Sequence, residues 1–141
     1  MSSVDRVLED AGFSAFARLL RASSFDGQIE SGGAFTIFAP TDQAFAKAPH
    51  TAIDHLVEGD PDELRAIAGY HFALGKVLSK RFTGKRIRAV TYGGQSLVID
   101  GRSGLHVNAA NLVRPDIVAG ACIIHGIDDV LWPREAAAAA L

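Results

Sequence analysis

The sequence predicts an α+β domain, with helices in the first half and strands in the second. Two patterns carry this. Before Gly75 apolar residues recur at spacings of three and four, whereas after it they alternate. Gly93–Gly94, Asp100–Gly101 and Ser103–Gly104 punctuate the alternating half as turns. Helices grouped ahead of strands argue α+β rather than alternating α/β. The length of 141 residues allows one domain, which can bury about two thirds of its unfolded surface without staples.

Val4, Val7, Leu8 and Ala11 form the stripe of a first helix, with Ser2 as its cap and Gly12 after it. A second helix runs from Ser14 to Ala22 with Phe16, Leu19 and Leu20 on one face. Ala34–Phe38 is a β-branched and aromatic run between Gly33 and Pro40, and reads as a buried strand. Thr41 or Asp42 caps a short helix carrying Ala44 and Phe45. Thr51, with Asp54 three residues on, opens another helix that ends at Gly59. Asp60, Pro61, Asp62 and Glu63 give the clearest start: a cap, a proline at the first helical position and acids at the positive end of the dipole. That helix carries Leu64, Ile67 and Ala68 inward and runs through Tyr70 and His71 to an end near Gly75. Strand candidates follow at Val77–Leu78, Ile87–Val90, Leu97–Ile99, Leu105–Val107, Leu112–Val113, Ile117–Val118 and Ile123–Ile127. Pro115 suits an edge or a turn, and Asp116 and Ile117 should face opposite ways on extended chain, with Asp116 exposed and Ile117 largely buried.

The net charge of −2 excludes a generally basic nucleic-acid binder, but it hides a polarity. Residues 1–63 carry 11 acids and 4 bases, whereas residues 64–99 carry 7 bases and no acid. Lys80, Arg81, Lys85, Arg86 and Arg88 make a candidate patch for an anionic partner. The alternative is a solvated face, or one lying against the acidic N-terminal half. The block's two aromatics, Phe82 and Tyr92, are too few for base stacking. The longest stretch without an acid or base is 11 residues, against the ~20 that a membrane-spanning helix needs. No signal peptide is visible, and the tail from Ala136 to Leu141 reads as a cloning remnant or a native helix end.

Catalytic patterns are absent. There is no G-x-S-x-G, phosphate-binding loop or dinucleotide glycine fingerprint. The single Cys122 sits in an apolar run and reads as a buried, inert thiol. His50, Asp54, His55 and Glu58 lack metal-site spacing and read as exposed helix residues. His71 and His125, in apolar surroundings, read as satisfied core histidines. No cofactor or metal is called for.

Three segments together resemble the fasciclin (FAS1) domain family. Phe35–Phe45 (FTIFAPTDQAF) is similar to its first signature, Tyr70–His71 to its YH motif, and Ile123–Pro133 (IIHGIDDVLWP) to its second signature. The order and spacing match, and the resemblance runs from Val4 to Pro133. Two departures stand out. Ala121–Cys122 replaces the usual Asn-Gly, and Gly126 replaces a β-branched residue, which suggests a close approach or a bulge.

The resemblance implies a wedge-shaped β-sandwich of about seven strands with the N-terminal helices packed against it, one domain over residues 1–135. It implies a non-enzymatic, monomeric adhesion module that engages a protein or polysaccharide at a cell surface or in matrix, and an extracellular, periplasmic or surface location. It also transfers candidate contacts to Tyr70 and His71 and, within Arg114–Val118 (RPDIV), to Asp116 and Ile117. The residues themselves favour a fold-holding role for Tyr70 and His71, since both end an inward-packed helix. The alternative function is a small-ligand or anionic-polymer binder acting through the basic block 76–88.

Overall fold

In the computed structural model, residues 3–23, 25, 33–47, 53–108 and 110–131 are described. The helices are α1 (Ser3–Asp10), α2 (Ser14–Ala22), α3 (Asp42–Phe45), α4 (Ile53–Glu58) and α5 (Pro61–Gly69). The strands are β1 (Phe35–Pro40), β2 (Phe72–Leu74), β3 (Arg86–Val90), β4 (Ser96–Asp100), β5 (His106–Val107), β6 (Ala110–Ala119) and β7 (Cys122–Ile127). They are ordered β2-β1-β7-β6-β5-β4-β3.

The turn from one sheet to the other lies within β6. Its first residues pair with β5 (Val107 with Ala110), and its later ones pair with β7 (Val118 with Ile123). Two register shifts separate the halves, one between Leu112 and Arg114, the other between Arg114 and Ile117. A bulge bends and twists its strand. Here it folds β3, β4 and β5 over β1 and β7, giving the wedge-shaped sandwich. Phe38, Phe82, Leu97, Ile99 and Ile127 fill the space between the layers. The helices cover the opposite face of β1 and β7, where Leu8, Phe13, Phe16, Ile37 and Ile124 pack. An isolated bridge from Ala73 to Thr91, with the Tyr92 N–H donating to the Phe72 carbonyl at 2.9 Å, ties β2 to the end of β3.

Local chemistry explains the starts. The Thr41 hydroxyl accepts from the Ala44 N–H at 3.1 Å and caps α3. Asp42 caps α2 from a distance, taking the Ala15 N–H and the Ser14 hydroxyl, each at 2.8 Å. Asp60 caps α5 through the Asp62 N–H at 2.9 Å, with Pro61 at the first helical position. Ser2 and Thr51 lie outside the described residues. At Gly126 a Cβ would sit 2.6 Å from the Phe13 ring, so the predicted close approach is present. The β6–β7 turn places Gly120 at φ 60° and leaves Ala121 outside the positive-φ region, as a type II′ turn does without Asn-Gly.

Four expectations need correction. α5 stops at Gly69 with Tyr70 as its C-cap, and Phe72–Leu74 is a strand rather than the end of the helix. Val77–Leu78 is not a strand: the buried Thr36 hydroxyl takes the Val77 N–H at 2.8 Å and gives its own proton to the Gly75 carbonyl at 2.7 Å. Leu112–Val113 and Ile117–Val118 are one strand. Pro115 lies within this central strand, tolerated because it falls in the bulge, where no ladder bond is asked of it.

Candidate partner-binding site

Asp116 is built by the bulge. Its φ of 61° turns the chain out of the extended path, so the expected alternation with Ile117 does not hold there. Its backbone N–H donates to His125 Nδ1 at 3.1 Å, and His125 Nε2 donates to the Val77 carbonyl at 2.7 Å. These bonds fix a neutral His125, whose pKa burial pushes down. The Asp116 carboxylate lies 3.9 Å from Nδ1, but that nitrogen already accepts a proton, so the contact is not an ion pair. Instead the carboxylate accepts from the Ser79 N–H at 2.8 Å and from the Ser79 hydroxyl. Burial raises its pKa, but the Ser79 bonds, with the Lys80 charge, outweigh that and hold it below the usual carboxylate range. The side chain keeps 37% of its surface exposed, as expected. Ile117 is half-buried against the helix-side core rather than largely buried.

Ser79 opens the 3₁₀ turn Ser79–Arg81, so Asp116 anchors the turn that carries Lys80 and Arg81. Two candidates read separately in the sequence are thus physically joined. Lys85 follows in the loop, and Arg86 and Arg88 share the outer face of β3, opposite Asp100 and Val98 of β4. None of these five basic residues forms an ion pair among the described residues. Asp100 pairs with Arg102 instead, at 2.9 Å. Phe82 points inward and is fully buried.

His71 has no exposed surface. Its Nδ1 donates to the Ile67 carbonyl at 2.6 Å, and its Nε2 accepts from the Leu131 N–H at 2.9 Å. Desolvation, partly offset by the Ile67 bond, lowers its pKa from 6.5 to about 4. Tyr70, 7% exposed, donates its hydroxyl proton to the Ser96 carbonyl at 3.2 Å and accepts from Asn108 Nδ2 at 3.0 Å. Asn108, at φ 52°, also clamps Val98 through two bonds. Cys122 is buried and its thiol pKa is raised, chiefly by desolvation. Asp54 pairs with Arg18 at 2.5 Å, and His50 lies outside the described residues.

Sequence reasoning did not find Ser79, Thr36 or Asn108. Each acts on a residue 37 to 41 positions away, or 38 for Asn108 on Tyr70.

The Fasciclin domain family matches residues 11–133. The chain belongs to the fasciclin domain family. An uncharacterized Synechocystis protein, sll1735, is 36% identical over 91% of this chain and 95% of its own. The cell surface glycolipoprotein MPB83 of Mycobacterium bovis is 36% identical over 73% of this chain, but the match spans only 46% of that protein. Human periostin is 27% identical over 93% of this chain and 16% of its own. This fasciclin domain also superposes on a FAS1 domain pair from the insect cell adhesion molecule fasciclin I, with a TM-score of 0.64 at 16% identity, over 87% of this chain and 46% of that one. The last likeness establishes the fold. No described helix is long and apolar enough to cross a membrane.

Proposed function

We propose that this fasciclin domain is a non-enzymatic adhesion module that engages a protein or polysaccharide at a cell surface or in extracellular matrix. In this reading Asp116 makes the contact, Ile117 positions it, and Tyr70 and His71 hold the frame around it. The observation that carries the reading is the state of Asp116: a carboxylate kept ionised, partly exposed, and fixed on both its backbone and its side chain. Its setting also argues against catalysis. The Ser79 hydroxyl bonds to the carboxylate and not to His125, and both imidazole nitrogens of His125 are occupied by backbone groups. His125 is therefore not placed to activate that serine. The resemblance of the domain to surface and adhesion proteins supports an extracellular, periplasmic or surface location.

The test is attachment to the immobilised domain, using cells and surface extracts, comparing wild type with Asp116→Asn. Asparagine tolerates the positive φ, its oxygen can still accept from the Ser79 N–H, and its NH₂ can donate to the Ser79 hydroxyl oxygen, so the anchor is kept while the charge is lost. Attachment should fall by about tenfold or more at an unchanged melting temperature, the scale of a lost charge-assisted bond. Full attachment by the folded variant sinks the assignment of this residue.

A second reading, an anionic partner taken by the basic block 76–88, is favoured by Arg86 and Arg88, which share one face of β3 and form no ion pair among the described residues. A steep loss of binding with added salt would support it.

A further inference from the structure

We propose that the free edge of β3 takes an extended acidic peptide of a partner protein as an added strand. β3 ends the strand order, and β2 reaches its outer side only at the far end, through the Ala73–Thr91 bridge. The register tells which groups face that side. Arg86 pairs with Asp100 and Val90 with Ser96. Continued outward, the same register matches Lys85 to Gly101 and Thr91 to Gln95, and both of these pairs are hydrogen-bonded, at 2.7 and 3.0 Å. Hydrogen-bonded and non-bonded pairs alternate along an antiparallel ladder. Residues 85, 87, 89 and 91 therefore bond to β4, and the N–H and C=O groups of Arg86, Arg88 and Val90 point away from it. The next residue in that set, Tyr92, confirms the direction: its N–H leaves β4 and meets the Phe72 carbonyl of β2. The antiparallel Ala73–Thr91 bridge sets Leu74 of β2 against Val90, so β2 takes that end of the edge, while among the described residues no strand pairs with the outer side of Arg86 and Arg88.

The side chains beside this edge select its occupant. Arg86 and Arg88 stand exposed on one face, without carboxylate partners among the described residues. With Ile87 and Val98 they line a shallow cup of about 200 Å³. Val90 continues the same face at 62% exposed, beside Leu74 of β2 at 68%. The strip reads basic, basic, apolar, with unpaired backbone groups beside the two arginines. A second copy of this chain fits poorly, because antiparallel pairing centred on Arg88 sets guanidinium against guanidinium. A polysaccharide matches the charge but brings no amides at strand spacing. An extended peptide with acids two apart satisfies both the backbone and the charges. This names the partner class for the basic block and rests on the second reading above; the Asp116 assignment is independent of it.

The probe is a fluorescein-labelled pentapeptide, Thr-Glu-Thr-Glu-Thr. Paired antiparallel, it sets its glutamates against Arg88 and Arg86. N-methylation of the first glutamate removes an N–H that faces β3, whereas N-methylation of the threonine after it removes one that faces away. Fluorescence anisotropy should show the first methylation weakening binding by about tenfold or more and the second by little. In amide exchange, Arg86 and Arg88 should become protected only when peptide is present. Equal affinity for the two methylated peptides overturns strand pairing and leaves only an electrostatic patch. A sulfated oligosaccharide that binds while the peptide does not reassigns the face to a polysaccharide. No binding of either at millimolar concentration removes the anionic-partner reading as well.

Discussion

Replacing His71 by phenylalanine isolates what the buried imidazole does. The ring is a near-isostere, so the packing against Phe16, 5.5 Å away between centroids, is retained. Two hydrogen bonds are lost. The Ile67 carbonyl still accepts from the Tyr70 N–H at 3.2 Å, but the Leu131 N–H has no other partner among the described residues. Stranding that buried donor should cost about 1–3 kcal/mol at pH 7. The pH dependence is the sharper signature. His71 has a folded pKa of about 4 against an ordinary 6.5, so below pH 6.5 the unfolded chain takes up a proton that the folded one refuses. Its contribution is therefore fully present above pH 6.5 and is lost as the pH falls toward 4. Between pH 7 and pH 4.5 the wild type should lose roughly 2–3 kcal/mol through this residue alone. The variant cannot titrate there, while His125, Asp116 and Asp128 shift in both proteins and cancel in the difference. Urea unfolding followed by far-ultraviolet circular dichroism at several pH values gives both curves. The gap between them should close, or reverse, by pH 4.5. A gap that stays constant from pH 7 to 4.5 refutes the reasoning, because it means His71 titrates as an exposed histidine does.

Three further outcomes follow from particular contacts. Gly126→Ala drives a Cβ to 2.6 Å from the fully buried Phe13 and 3.1 Å from Arg114 Cβ, and should destabilise by about 1–3 kcal/mol in thermal melts; an unchanged melt contradicts the close approach. Thr36→Val leaves the Val77 N–H without its acceptor and should cost about 1–3 kcal/mol, with faster amide exchange at Val77 as the local readout. Asp116→Ala, unlike the asparagine variant, forfeits both Ser79 bonds and the positive-φ tolerance, and should lower stability by about 1–3 kcal/mol; equal melts for the two variants would mean the Ser79 anchor contributes nothing.

The sequence spoke clearly where the physics is local. Asp60 and Pro61 marked the start of α5 because capping and a fixed φ need only adjacent residues. Period-two runs located β3, β4 and β7 because their side chains face core and solvent in turn, or core on both sides. Failures came where a distant group decides. Phe72–Leu74 continued the apolar pattern of α5, and nothing nearby says that β1 and Thr91 wait to pair with it. Val77–Leu78 had the composition of a strand, yet Thr36, far back in β1, takes the amide that a ladder would use. For the candidate site, the acid and its hydrophobic neighbour were legible through the family resemblance, and the burial of Tyr70 and His71 through the inward stripe of their helix. The anchor at Ser79 was not, since a serine between Leu78 and Lys80 carries no mark of the aspartate it will meet.

The placement of Asp116 follows from a defect in a central strand. Pro115 has no N–H to give a ladder, and a non-glycine residue at φ 61° costs about 1–2 kcal/mol. In a buried sheet such a combination persists only where other bonds fix it. Here three do: Asp116 N–H to His125, and the two Ser79 donors to the carboxylate. The same three bonds determine what a partner meets. The acid is ionised and already in one orientation, so binding need not order it first. The turn it anchors delivers Lys80 and Arg81 to the same neighbourhood, so an acid and two bases lie within one rigid corner. A contact arranged this way should discriminate by charge rather than by induced shape. Asp116→Asn, which preserves the order and deletes the charge, is therefore the substitution that separates the two, and adhesion should follow the charge.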